Sequence, residues 1–301
     1  MDAGQTDTSQ QALGYPRSEL LICDYTLDDT QLERRCPLDN GRHARLWQDS
    51  QRQPVGHLDV LPLELVREVL VELDVPTLTS FRRVNRRAME LVDSLHQYQM
   101  ILKHCPNILR AIVSLGASSF TCRTLFNTLF TTQCSSCDRL GGYLYLITGS
   151  RVCYFCFTRN VDYFPLSAWQ ATKLTGLSRR DLKRLPHVFT LPGRYTARKK
   201  SSKGRFMLLD RRAVLLDRTD DEQRPPIDYT TREPRRFMSI ISAPYLTCAG
   251  QRAHWGLHCR RCEDNTDPAY HFRLQFTGDD LVAHNQQHSA TVRDQKSATQ
   301  A

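Results

Sequence analysis

Two Cys-x-x-Cys pairs, Cys134–Cys137 and Cys153–Cys156, stand 15 residues apart around the run YLYLITGSRV. No other feature restricts the fold of this chain so tightly. A Cys-x-x-Cys turn aims two sulfurs at one point, and Thr148-Gly149 supplies a turn between two strands. A hairpin flanked by two such turns gathers four thiolates into one tetrahedral shell. We therefore expect structural zinc held by Cys134, Cys137, Cys153 and Cys156. A closed four-thiolate site leaves no open coordination position, so no catalysis is assigned to it. The competing readings are packed free cysteines and a redox dithiol, and the second lacks the βαβ context such dithiols usually have.

A second constellation follows near residue 260. Cys259 and Cys262 form another x2 pair, and His284 and His288 are four residues apart, on one face if helical. Phe276 and Leu281 stand where a two-Cys, two-His finger places its core, Asp279 or Asp280 fits a first helical turn, and YHFRLQF reads as a strand before the helix. The expected zinc ligands are Cys259, Cys262, His284 and His288, with an enlarged insertion of 21 residues between the pairs. One alternative joins Cys248 to this Cys pair with His254, His258 or His271. Another leaves the His pair as a solvated face. The helix carries DDLVAHNQQH, with no Arg or Lys, which argues against DNA reading.

The thiol chemistry depends on compartment. The opening stretch MDAGQTDTSQQALGYPRSEL lacks the basic and apolar blocks of a signal peptide. No apolar run approaches the roughly 18 residues of a transmembrane helix. We expect no membrane association and a cytoplasmic or nuclear location, where thiols stay reduced. Cys105 and Cys122 sit among apolar neighbours and read as buried small hydrophobes.

Charge is uneven. Residues 179–212 hold 12 Lys or Arg against 2 Asp or Glu, a net of +10 in a chain whose total is +9. A nucleic-acid face, a nuclear signal and a plain solvated surface all fit this stretch. No interleaved aromatics support base stacking.

Residues 58–98 change character. Pro62 suits a helix start. Leu61, Leu65, Val66, Val69, Leu70 and Leu73 then fall on one face. Asp74-Val75-Pro76 breaks the helix, Leu78, Phe81 and Val84 continue the apolar series, and Asn85 can cap a third helix. Three short helices in about 40 residues are marginal alone and need a surface to lean on. The run Leu61-Pro62-x-Glu64-Leu65, with Leu70, Leu73, Leu78, Phe81, Val84, Asn85-Arg86-Arg87 and Leu91, resembles an F-box. The resemblance implies that Leu61, Pro62, Leu65, Leu70, Leu73, Leu78, Phe81 and Val84 dock on the Skp-type adaptor of a cullin–RING ubiquitin ligase. The rest of the chain would then select a protein substrate. Ala88 departs from the Trp that many F-boxes carry there, which would weaken docking. The order of the later segments, from LPHVFTLPG through DRRAVLL to HWGLHCRRC, resembles the C-terminal half of fungal-type F-box proteins.

Enzyme signatures are missing: no P-loop, Gly-x-Gly-x-x-Gly, His-Glu-x-x-His or Gly-x-Ser-x-Gly is present. A ligase of the RING type would interleave eight ligands, whereas the first cluster is complete with four. We expect a non-catalytic adaptor, with ligase activity in partner subunits; a zinc-containing nucleic-acid-binding protein using residues 179–212 is the alternative. The expected fold is α+β. A flexible segment 1–55 precedes the F-box at 56–100, linking helices at 101–131, a zinc-stapled region at 132–288 and a disordered tail at 289–301. Ser167 and Ser178 are expected helix caps.

Overall fold

The computed structural model describes residues 13–16, 24–36, 54–197, 201–216, 234–247 and 252–287. Helices and small antiparallel sheets of two or three strands make an α+β molecule. No described helix is long and apolar enough to cross a membrane.

Strand β1 (Gly14–Pro16) and helix α1 (Asp29–Arg35) open the described chain. Then come α2 (Leu63–Val71), α3 (Val75–Arg82) and α4 (Arg86–Asp93). The breaks are local chemistry. The Asp74 carboxylate accepts the Thr77 amide at 2.8 Å, and the Asn85 side chain accepts the Ala88 amide at 2.8 Å. Each cap satisfies an amide that a helix start leaves unpaired. Three further helices, α5 (His96–His104), α6 (Pro106–Leu115) and α7 (Cys122–Phe130), complete the helical half. Gly116 ends α6 in the left-handed region, at φ 66°.

The hairpin between the first two Cys pairs forms as expected. Strand β2 (Tyr143–Tyr145) pairs antiparallel with β3 (Ser150–Val152), and Gly149 turns the chain at φ 73°. Helix α8 (Tyr154–Arg159) begins at Cys153. A smaller lobe follows. Strand β4 (Leu166–Ser167), helices α9 (Ala168–Thr175) and α10 (Arg179–Leu182), strands β5 (His187–Phe189) and β6 (Met207–Leu209), and helix α11 (Arg211–Leu215) surround their own cluster of Leu166, Ala171, Leu182, Met207, Leu209 and Val214. Ser167 and Ser178 cap α9 and α10, the first through a full capping box.

The chain then returns to the hairpin. A 3-10 segment (Pro234–Ser239) leads into β7 (Ile240–Ser242), which pairs with β2 as the third strand of that sheet. Strands β8 (Tyr245–Thr247), β9 (Arg252–His254) and β10 (Leu257–Cys259) come next, and a final helix α12 covers residues 278–287.

One continuous apolar core runs from Val66, Leu70 and Leu78 of the F-box-like helices to Leu109 and Ile112 of α6 and on to Tyr143–Ile147 of the hairpin. The expected division at residue 131 is not a break in packing. Within residues 1–55, where a flexible lead is expected, the described stretches 13–16 and 24–36 pack onto the rest of the chain. Gly14, Tyr15 and Pro16 pair with Cys259, His258 and Leu257, and Tyr15 is buried. A Cβ on Gly14 would lie 2.5 Å from the Leu281 side chain, so only glycine lets this strand approach so closely. Asp24 is buried and ion-paired with Arg273, and the Tyr143 hydroxyl donates to it at 2.5 Å. Helix α1 packs on α6. These partners lie far away in sequence, so no local pattern announces them.

Candidate metal centres and docking face

The first Cys cluster is built by two turns and a hairpin. The Cys134 amide donates to the Arg139 carbonyl at 2.9 Å, and the Ser135 amide donates to the Arg151 carbonyl at 2.8 Å, closing the first turn onto strand β3. In the second turn the Cys156 amide points at the Cys153 sulfur, 3.4 Å away. The four sulfurs lie within 4.8 Å of one another. Cys137 Sγ is 3.7 Å from Cys153 Sγ and 3.6 Å from Cys156 Sγ. Sulfurs at the corners of a tetrahedron with bonds of about 2.3 Å would be about 3.8 Å apart. The separation is far above the roughly 2.05 Å of a disulfide, and all four thiols are free.

Their electrostatics complement the geometry. Hydrogen bonding from the Cys153 thiol, helped by the Ser136 amide, lowers the Cys134 pKa to about 5 against the opposing effect of burial. Burial and the neighbouring Cys134 charge push Cys156 up to about 12. Cys153, bonded to Cys134 and buried, is also raised. Charge on Cys134 is thus accommodated while charge on Cys153 and Cys156 is resisted, and a divalent cation relieves that resistance.

The sheet behind the cluster is fixed by Arg151, which sequence reading missed. Its side chain is fully buried and donates to the carbonyls of Thr128, Leu129, Gly141, Ala243 and Pro244. One guanidinium therefore joins the end of α7, the first Cys turn and the connection between β7 and β8. Burial lowers its pKa to about 10.

The second centre gathers Cys259, Cys262 and His284, all buried, with their ligand atoms within 4.8 Å of one another. Cys262 Sγ lies 3.2 Å from His284 Nε2. Burial, reinforced by Cys259, raises the Cys262 pKa to about 12. Cys259 ends β10, Cys262 closes a 3-10 turn, and His284 projects from α12. Thr277 caps that helix: its hydroxyl accepts the Asp280 amide at 3.2 Å and donates to the Asp280 carboxylate at 2.7 Å. The Phe276 ring stacks on His284 at 4.4 Å and orients it. Phe276 is not part of the expected strand; it forms a single bridge, exchanging two backbone hydrogen bonds with Leu257. His288 and Cys248 lie outside the described residues. The alternative ligands are engaged elsewhere: His254 stacks on Tyr245, His258 Nδ1 meets the Phe272 carbonyl, and His271 Nδ1 accepts the Arg273 amide.

The F-box-like helices sort the expected docking residues by exposure. Leu61 (41%), Leu65 (53%) and Val84 (65%) are exposed, as is Pro62. Leu73 and Phe81 are half-buried against the core. Leu70 and Leu78 are fully buried, which corrects their assignment to a partner surface: they hold α2 and α3 on the chain's own core. Val60, Leu63 and Val69 add to the exposed apolar face. Helix α2 is therefore apolar on two sides. Val66 and Leu70 face inward, while Leu65 and Val69, one turn apart, face outward. Ala88 is buried.

Residues 58–100 match the family model of the F-box domain. No curated protein and no solved structure matches the chain.

Proposed function

We propose that this chain is a substrate-recognition subunit of an SCF-type cullin–RING ubiquitin ligase. Its F-box would bind the Skp-type adaptor, and the region after residue 131 would bind a protein substrate. The F-box is a non-catalytic adaptor module, and transfer of ubiquitin would fall to partner subunits. The observation that carries the reading is the unpaired apolar face of the matched segment, Leu61, Pro62, Leu65, Val69 and Val84, beside helices already anchored from within. Large exposed apolar patches on small proteins mark interaction sites.

Zinc is the metal we assign to both Cys centres. Thiolate and imidazole donors at these separations suit its tetrahedral preference. Bound there, zinc supplies structural stabilisation, on the order of 10 kcal/mol for small zinc units. His288, four residues after His284 in sequence, is the fourth ligand we propose for the second centre. A cytoplasmic or nuclear location follows from the reduced thiols this scheme requires.

The test is co-purification. Wild-type protein at micromolar concentration should retain a Skp-type adaptor on a column. Leu61→Ala with Leu65→Ala should abolish retention while leaving zinc content and far-ultraviolet circular dichroism unchanged. Absence of adaptor binding by wild-type protein at that concentration overturns the reading.

A further inference from the structure

The strongest unassigned feature is the outer face of the smaller lobe. Trp169, the second residue of α9, is 70% exposed. The Lys173 ammonium, one turn on, sits 5.4 Å from its ring centroid. A three-residue connection leads to α10, which packs against α9, and every residue from 176 to 180 is exposed. Leu177 is therefore exposed beside Arg179 and Arg180, with Lys183 following.

Several cations of the helical half are neutralised by carboxylates. On the helical half, Arg82 pairs with Asp93 at 2.7 Å, Arg86 with Glu90 at 3.1 Å and Arg87 with Asp59 at 3.1 Å. Arg123 pairs with Glu68 at 2.5 Å and with Glu72. Among the described residues, Arg179, Arg180 and Lys183 have no carboxylate partner. The one acid of this helix, Asp181, accepts the Ser178 hydroxyl at 2.6 Å. An aromatic ring and a leucine thus stand exposed beside cations that no described carboxylate pairs with.

We infer that this face binds a carboxylate-rich peptide segment of a partner protein, with an apolar side chain of that segment seated against Trp169 and Leu177. The cations are spread over an exposed surface instead of converging in a cradle, which suits a run of carboxylates better than one phosphate. Binding of nucleic acid would want several aromatic platforms in series along a basic groove. Trp169 is the one strongly exposed ring on this face. The inference deepens the proposed substrate-recognition role and rests on it for its biological meaning, but its test does not involve the adaptor.

A random 12-residue phage-displayed peptide library is selected on full-length wild-type protein, in parallel with Arg179→Glu/Arg180→Glu and with Trp169→Ala. Wild-type selections should enrich Asp- and Glu-rich peptides containing an apolar residue. Affinity of the best peptide should fall at least tenfold in the charge-reversed variant and several-fold in Trp169→Ala. Zinc content and adaptor co-purification should be unchanged in both variants. Neutral or basic consensus peptides, or acidic peptides that bind all three proteins equally, would overturn the inference. So would tighter binding of an oligo-dT single strand than of the selected peptides, with a steep salt dependence. Loss of adaptor binding in wild-type protein would sink the ligase reading while leaving the peptide result to stand.

Discussion

Cys134 shows how a single residue links geometry to chemistry. The protein already favours the ionised form of its sulfur, while Cys153 and Cys156 resist charge. Cys134→Ser removes that anchor, so elemental analysis should find one zinc fewer per chain, with a lower melting temperature. Arg151 acts differently. Arg151→Met keeps much of its bulk but removes five hydrogen bonds and leaves up to four carbonyl acceptors orphaned, since Thr131 still donates to Thr128. Each buried orphan costs about 1–3 kcal/mol, so denaturant unfolding should register a loss of about 3 kcal/mol or more. The ligands are legible from spacing because a knuckle needs its cysteines at fixed separation. Arg151 is not, because nothing about an arginine in SRV tells that five carbonyls from three distant segments converge on it.

At the scale of elements, helix α2 serves two surfaces. Leu65→Ala together with Leu61→Ala should lower adaptor affinity by orders of magnitude, with little change in stability. Leu70→Ala or Leu78→Ala should instead cost about 2–5 kcal/mol of folding stability, since each opens a cavity in a closed core. Equal effects from the two pairs would show that the partition is wrong. The caps at Asn85, Ser167 and Ser178 and the β2–β3 hairpin were readable because each is decided within about four residues. The inward and outward sides of α2 were not separable, because periodicity marks apolar positions without saying which of two neighbours covers them. Strand β1 escaped notice for a related reason: three residues carry no period, and their partner lies more than 240 positions on.

The whole molecule is joined by its core. Leu70 and Leu78 belong to the same apolar cluster as Tyr145 and Ile147 of the hairpin between the Cys turns. Metal removal at the first centre should therefore be felt in the F-box. With a zinc chelator present, hydrogen exchange should accelerate in residues 66–78 along with 143–147. Retained protection of the helices while the hairpin exchanges freely would show instead that the two fold apart.

The pairing of Gly14–Pro16 with Leu257–Cys259 has a consequence for how the protein is made. A ribosome releases the first strand long before the last. At roughly 5–20 residues per second, a separation of some 240 residues means a wait of about 12–50 seconds. Throughout that interval the strand has no edge to join, and its buried tyrosine has no histidine to stack upon. Cys259 lies in the partner strand itself, so the nascent chain cannot close its first strand into place until the first ligand of its second metal centre has left the exit tunnel.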